Sequence, residues 1–259
     1  MNQVSRQELS NWLDRELQIY RFKDYAPNGL QLQGKPYIHK IVMGVTASKE
    51  LLEKAAAAQA DTVIVHHGWF WKNEDVRIIG MKYERIALAI KHQLNVFGYH
   101  LPLDAHPQWG NNAQLAKVLG LRPNYVEGVP ETTGQDDLVW LGSPPEGVQT
   151  LGQLTDVIAN RLQREPLFIG NPDTPIQRIA WCTGGAQSYF ESAILAGAQA
   201  FITGEASEPV FHMAQESGVA YYAAGHHATE RYGVQALGVA LQAEFPNIEV
   251  EFIDIPNPI

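Results

Sequence analysis

The chain has 259 residues, 19 Lys and Arg against 28 Asp and Glu, a net charge of −9 and one cysteine, Cys182. A single thiol excludes an internal disulfide, and a chain this long buries about three quarters of its unfolded surface without a staple. The acidic balance opposes a nucleic-acid backbone as main partner, because phosphates require a basic footprint, and no run approaches the roughly 18 apolar residues of a membrane span.

The opening residues are polar and amphipathic, with no apolar leader segment. The chain therefore reads as soluble and cytoplasmic. Leu9, Trp12, Leu13, Leu17 and Ile19 predict an amphipathic helix over 6–19, capped by Ser5. YAPNGLQ (25–31) is turn chemistry. A strand is predicted over 38–47, a helix capped by Ser48 over 48–60, and a buried strand over 61–67. A helix over 83–93, a strand over 95–100 and a helix over 111–120 closed by Gly120 follow. Strands alternating with helices imply parallel βαβ units and an α/β fold.

From 121 to 175 the chain is richer in proline and acidic turns, interrupted by a helix over 150–163. The implied division is a first α/β half (1–125), a smaller bridging segment (126–175) and a second α/β half (176–259). Residues 176–205 align with 38–67 at a constant offset of 138, and His67 falls on Glu205. Residues 220–230 align with 94–104 at an offset of 126, which places His226 on His100 and Glu230 on Asp104. The pattern reads as two related βαβ halves.

Both halves end their strands in polar residues: His66, His67 and His100-x-x-x-Asp104 in the first, Thr203, Glu205 and His226-x-x-x-Glu230 in the second. Sites in open parallel sheets form outside the carboxyl ends of strands. Imidazoles and carboxylates suit Zn, Mn, Fe, Ni or Co. His226 and Glu230 lie one turn apart if 226–230 is helical, whereas Pro102 favours an extended loop at Asp104. Adjacent strand residues point to opposite faces, so Gly68 is expected to turn the chain and let His66 and His67 serve one site. His227 competes with His226 for the ligand role. WFW (69–71) reads as a pocket wall, lid or interface, TGGAQ (183–187) as a tight strand-to-helix turn, and Cys182 as a buried apolar residue. His39, His92, His106 and His212 read as surface or packing residues.

VIVHHGWFW, GYHLPLDAHPQWGNNAQLA, AWCTGGAQSYFESA, FITGEASE and AAGHHATERYG closely resemble the NIF-three-like family of dinuclear metal-centre proteins, often labelled GTP cyclohydrolase type-two-like. The likeness runs from DYAPNGLQ to FIDIPNP and is to the short bacterial type. It implies two interlinked α/β domains, built from the related halves around a dinuclear metal site, and a toroidal homohexamer, a trimer of dimers. It also implies two divalent ions per subunit (Zn, Mn, Fe or Ni), held by His66, His67, Asp104, His226 and a bridging Glu230, with His100 as auxiliary ligand or outer group; the GHxxTE pattern favours His226 over His227.

The expected activity is metal-dependent hydrolysis, with activated water attacking a small-molecule or nucleotide substrate and His100 or Glu205 moving protons. No guanine-reading or triphosphate motif stands out. The alternative is a non-enzymatic metal-binding protein or a ring-shaped assembly or regulatory protein. A nucleic-acid-associated ring is the third reading, against the charge balance.

Overall fold

Ser5 caps the first helix, α1 (Arg6–Glu16), by accepting the Glu8 N–H at 3.1 Å, and Leu9, Trp12 and Leu13 turn inward. The helix stops short of 19, and Gln18 takes a left-handed conformation. In the computed structural model, which describes residues 3–259, the chain continues with β1 (Gly29–Leu32), β2 (Lys40–Thr46), α2 (Lys49–Ala57) and β3 (Thr62–His67). Next come α3 (Gly80–Lys91), β4 (Asn95–Gly98) and the five-residue α4 (Leu101–Ala105). Then follow α5 (Asn111–Leu119), β5 (Val139–Ser143), α6 (Leu151–Leu162), β6 (Leu167–Ile169) and β7 (Ile179–Trp181). The chain closes with α7 (Phe190–Leu195), β8 (Ala200–Thr203), α8 (Glu208–Ser217), β9 (Ala220–Ala223), α9 (His226–Glu244) and β10 (Glu249–Phe252).

These elements form two units, each discontinuous in the chain. The first takes residues up to Gly110 together with Gly233–Pro256; the second takes Asn111–Tyr232 and Asn257–Ile259. Among the described residues, the first unit's main sheet has the order β10-β2-β3-β4-β1. The first four strands are parallel and β1 is antiparallel. Ile41, Met43, Ile64 and Phe97 fill one face with Leu9, Leu13, Leu237 and Leu241. Val42, Val63, Val65 and Val96 fill the other with Leu51, Leu52 and Ala89. This is the period of two expected of a strand covered on both faces. Each such side chain contributes about 1.5–3 kcal/mol, so β3 is anchored on both faces before its histidines are reached.

The second unit's sheet runs β5-β7-β8-β9-β6, with Thr132–Thr133 and Arg122–Pro123 pairing onto β5. Its three central strands are parallel and its flanking strands antiparallel. Trp181, Ile202 and Tyr222 pack against Leu154 and Ile158 of α6. Tyr221, Phe201 and Phe190 cluster through their rings, with Phe190 and Tyr221 centroids 4.9 Å apart.

The units are drawn differently from a division at 125 and 175. The segment 126–175 is no bridge: β5 and β6 pair with β7 and β9 and so belong to the second sheet. Residues 233–256 leave the second half because β10 pairs with β2.

The repeat is visible in strand register. Ile41, Val42 and Met43 face Thr62, Val63 and Ile64, and Ile179, Ala180 and Trp181 face Ala200, Phe201 and Ile202. Every partner is displaced by the same 138 positions. The third strand shifts the expectation by one: Ala220 occupies the place of Asn95. The second unit therefore has one residue more between strand and His226, where Gly225 adopts φ +101°.

Candidate metal centre

In the first unit, β3 carries His66 and His67 to its carboxyl end. His66 is fully buried. Its Nδ1 donates to the Tyr99 carbonyl at 3.0 Å, so the neutral ring presents Nε2, which lies 3.4 Å from Asp104 Oδ1. A lone pair facing a carboxylate is an arrangement that a cation or a proton stabilises. His67 Nδ1 lies 3.3 Å from Thr46 Oγ1. The strand continues through His67, which pairs with Thr46, yet the two rings lie 4.4 Å apart. Gly68 follows the last strand residue and is not among the positive-φ glycines. Its lack of a side chain serves Gln31, whose amide would collide with any Cβ there, and Gln31 Oε1 accepts the Trp69 N–H at 2.7 Å.

His100 precedes α4, and its ring centroid lies 5.2 Å from that of His66 and 5.8 Å from that of His67. One donor atom from each of these three imidazoles lies within 4.8 Å of the others. Asp104 is helical, contrary to the expected loop. Pro102 occupies the first turn of α4, where no helical N–H bond is required, and the Asp104 N–H donates to the His100 carbonyl at 3.2 Å.

Asp24, which no sequence motif marks, organises this end of the sheet. Its side chain is 3% exposed. Oδ1 accepts from His100 Nδ1 at 2.7 Å and from the Tyr25 N–H; Oδ2 accepts from the Leu101 N–H and Asn28 Nδ2. Burial opposes its ionisation, but the bonds from His100, Asn28 and Tyr25 outweigh burial and lower its pKa. Trp71 packs edge-on against His100 at 4.9 Å, which makes it a wall, whereas Trp69 is buried in the core.

In the second unit, α9 begins at His226. Its Nδ1 lies 2.6 Å from Glu205 Oε1, and its Nε2 lies 2.9 Å from Glu230 Oε2, one turn along the helix. Burial disfavours the imidazolium, but Glu230 and Glu205 raise its pKa to about 9. The place between imidazole and carboxylate is one that a proton or a cation can take. Glu230 is 3% exposed. Gly184, at φ +67°, lies over that carboxylate and leaves no room for a Cβ. The Gly184 N–H donates to Thr229 Oγ1 at 3.0 Å, and Thr203 Oγ1 donates to the Gly184 carbonyl at 3.0 Å. TGG is thus a tight turn built around the glutamate. His226 is the ring held between the two carboxylates, while the His227 N–H donates to the Ile259 carbonyl.

Away from these clusters, His39 and His212 are exposed, and His106 stacks on Trp109 with centroids 4.4 Å apart. Cys182 is buried. No helix among the described residues is long and apolar enough to cross a membrane.

The donor sets suit divalent cations of the Zn, Mn, Fe or Ni class: imidazoles whose second nitrogen is already engaged, with buried carboxylates beside them. Comparison with known proteins gives the chain's relatives. Residues 4–258 match the family described as Duf34/NIF3 (NGG1p interacting factor 3). A Pseudomonas aeruginosa protein named GTP cyclohydrolase 1 type 2 homolog is 50% identical over 245 residues, covering 95% of each chain. Among solved structures, protein ybgI, described as of unknown function, superposes with a TM-score of 0.90 at 46% identity over 99% of this chain and 100% of that one. A Thermus thermophilus protein gives 0.83 at 32% identity, with the same coverage.

Proposed function

The chain belongs to the Duf34/NIF3 (NGG1p interacting factor 3) family, and from that premise we propose a cytoplasmic metal-dependent hydrolase with two divalent ions per subunit. The ligands in this reading are His66, His67, Asp104, His226 and Glu230, with the glutamate shared by both ions. The observation that carries it is the cluster of three imidazoles, His66, His67 and His100, with donor atoms within 4.8 Å of one another. The His226–Glu230 pair in the second unit supports it.

Two bound ions of this class supply Lewis acidity and a water that ionises near neutral pH. The chain's own groups do the rest. Tyr99 and Glu205 fix the tautomers of His66 and His226 by accepting at Nδ1. Glu205, partly exposed, is placed to exchange a proton with a bound molecule. The substrate class is a nucleotide or a related small molecule, in line with the name carried by the relatives.

The same proposal includes self-assembly as a homohexamer, a trimer of dimers. Val76, Ile78, Ile79, Met81, Tyr83 and Ile90 are all exposed, an apolar run that a partner would cover. That run also favours the second reading, a non-enzymatic metal-binding assembly protein.

The test is to strip the protein, reload it with Zn, Mn, Fe or Ni, measure the metal content, and screen nucleotides, phosphoesters and cyclic amides for hydrolysis. Turnover that is lost with the metal in Glu230→Gln is the expected result. A fully metallated protein that turns over nothing in that screen overturns the hydrolase and leaves the assembly role.

A further inference from the structure

Phe70 adopts φ +65°, a left-handed conformation that is rare and unfavourable for a bulky side chain. Its surroundings hold it there. On one side, Trp69 Nε1 donates to the Ala47 carbonyl at 2.9 Å, and the Trp69 N–H donates to Gln31 Oε1 at 2.7 Å. On the other, the Trp71 N–H donates to Glu74 Oε2 at 3.1 Å, and the Lys72 N–H donates to the Tyr25 carbonyl. The Lys82 ammonium sits over the Phe70 ring, 5.2 Å from its centroid. Gln31 Nε2 also donates to the Pro27 carbonyl at 2.8 Å. The turn 25–31 and the segment 69–72 are thus stitched together, with Tyr25 at one seam and Trp71 beside it.

The three aromatics of this segment go to different places. Trp69 and Phe70 pack with the apolar core. Trp71 is turned to the histidines instead, its ring centroid 4.9 Å from that of His100 and 5.9 Å from that of His67. Tyr25 is 52% exposed, and its ring lies 6.4 Å from His100. Both rings stand steeply to the His100 plane, at 84° and 68°. A strained backbone that carries an indole away from the core and toward a polar cluster points to a bound molecule. The face of an indole or a phenol stacks on a planar, electron-poor ring and gains much less from a sugar or a phosphate.

We propose that Trp71, with Tyr25 as a second wall, is the specificity-determining surface on which the first unit stacks the flat heterocycle of its substrate. The proposal rests on the hydrolase reading above and narrows its substrate class: recognition is through a nucleobase-like ring and not through phosphate alone.

The test is calorimetric titration of the zinc-loaded full chain with guanosine and adenosine 5′-monophosphate, and with ribose 5-phosphate, which keeps the sugar and phosphate but lacks the ring. Metal content and sedimentation of each sample are measured in parallel. Wild type is expected to prefer at least one nucleotide to ribose 5-phosphate by about tenfold or more. Trp71→Leu is expected to lose about 5–100-fold for that nucleotide, the usual effect of removing a side chain that stacks on a base, and nothing for ribose 5-phosphate. Trp71→Phe keeps a flat face and retains most of the affinity; Tyr25→Leu shows a smaller loss than Trp71→Leu. Equal losses for nucleotide and ribose 5-phosphate overturn the proposal. So does a Trp71→Leu protein that binds the nucleotide like wild type but sediments differently, which would make the segment a subunit contact. Nuclear Overhauser contacts between the base protons and the Trp71 indole give a check on wild type that needs no variant, and their absence from a saturated complex overturns the assignment. A fully metallated wild type with no preference for the ring overturns this proposal alone, whereas a wild type that takes up no metal overturns the reading beneath it, and this proposal with it.

Discussion

Asp61 in the first βαβ unit and Gln199 in the second hold the same clasp. Asp61 Oδ2 accepts the N–H groups of His39 and Lys40 at 2.7 and 3.2 Å. Gln199 Oε1 accepts those of Gln177 and Arg178 at 2.7 and 3.0 Å. Donors and acceptor are all displaced by 138 positions. Backbone geometry has outlasted side-chain charge here, because the clasp needs one well-placed acceptor and either residue supplies it. The strand ends behave differently. Where the first unit has Thr46, His66 and His67, the second has Gly184, Gly204 and Glu205. A side chain at Gly204 would come within 2.6 Å of the His226 backbone. The second unit clears its strand ends of bulk and takes its imidazole from the start of α9; the first takes two from the strand itself. The scaffold is common, and the chemistry at its tip is reassigned.

The largest break in that comparison is expected from Glu230→Gln. It removes a charged carboxylate oxygen beside His226 and leaves the strands untouched, so metal content by elemental analysis should fall while the chain still unfolds cooperatively. Next is Gly184→Ala. Its Cβ meets the Glu230 carboxylate at a positive φ, so denaturant unfolding should show a loss of roughly 1–3 kcal/mol, the usual cost of overpacking, together with lower metal content. Thr46→Ala, at the equivalent position of the first unit, removes only a contact to His67. A loss of about 0.5–1.5 kcal/mol is expected, and a cost equal to that of Gly184→Ala would contradict the claim that the two tips are built differently.

The smallest effect concerns the clasp and pH. Burial opposes the charge of Asp61, but Lys35 at 2.6 Å and the two N–H groups lower its pKa below the ordinary 3.8. Its contribution is therefore present above that value and lost as pH falls through the lowered folded value. The stability difference between wild type and Asp61→Asn should shrink on acidification. Gln199→Glu serves as the mirror, since it installs a titrating group where the second unit has none. A wild-type advantage that does not change with pH would show that the Asp61 charge contributes nothing.

Much of this was legible in the sequence. The period of two in VIV and the helical spacing after Ser5 and Ser48 gave the elements, because both faces of β3 and the inner faces of the helices are apolar. The histidines and acids at strand ends were found for the same reason: polarity at the end of a buried run is conspicuous. Asp24 is not legible, since the imidazole it serves lies 76 positions on and only the fold brings it to His100. Pro102 reads as a breaker and so predicts a loop at Asp104, yet a proline in a first turn costs no bond. The space that Gly68 yields to Gln31 is invisible in sequence, because the two lie 37 positions apart. The membership of 126–175 and of 233–256 depends on strand pairing between distant segments, which local periodicity does not encode.

β10 pairs with β2, and the Lys40–Glu249 ion pair on that seam joins residues 209 positions apart. A ribosome delivers Lys40 long before Glu249. The second unit's sheet has all its strands by Ala223, while the first unit, begun earlier, still lacks a parallel strand beside β2. Until then β2 has an open edge flanked by Val42, Met43 and Val45, the kind of surface that invites pairing with another chain. The unit synthesised first is therefore the one completed last, and truncations or stalled synthesis after residue 232 are expected to leave an aggregation-prone first unit beside a second whose strands are all present.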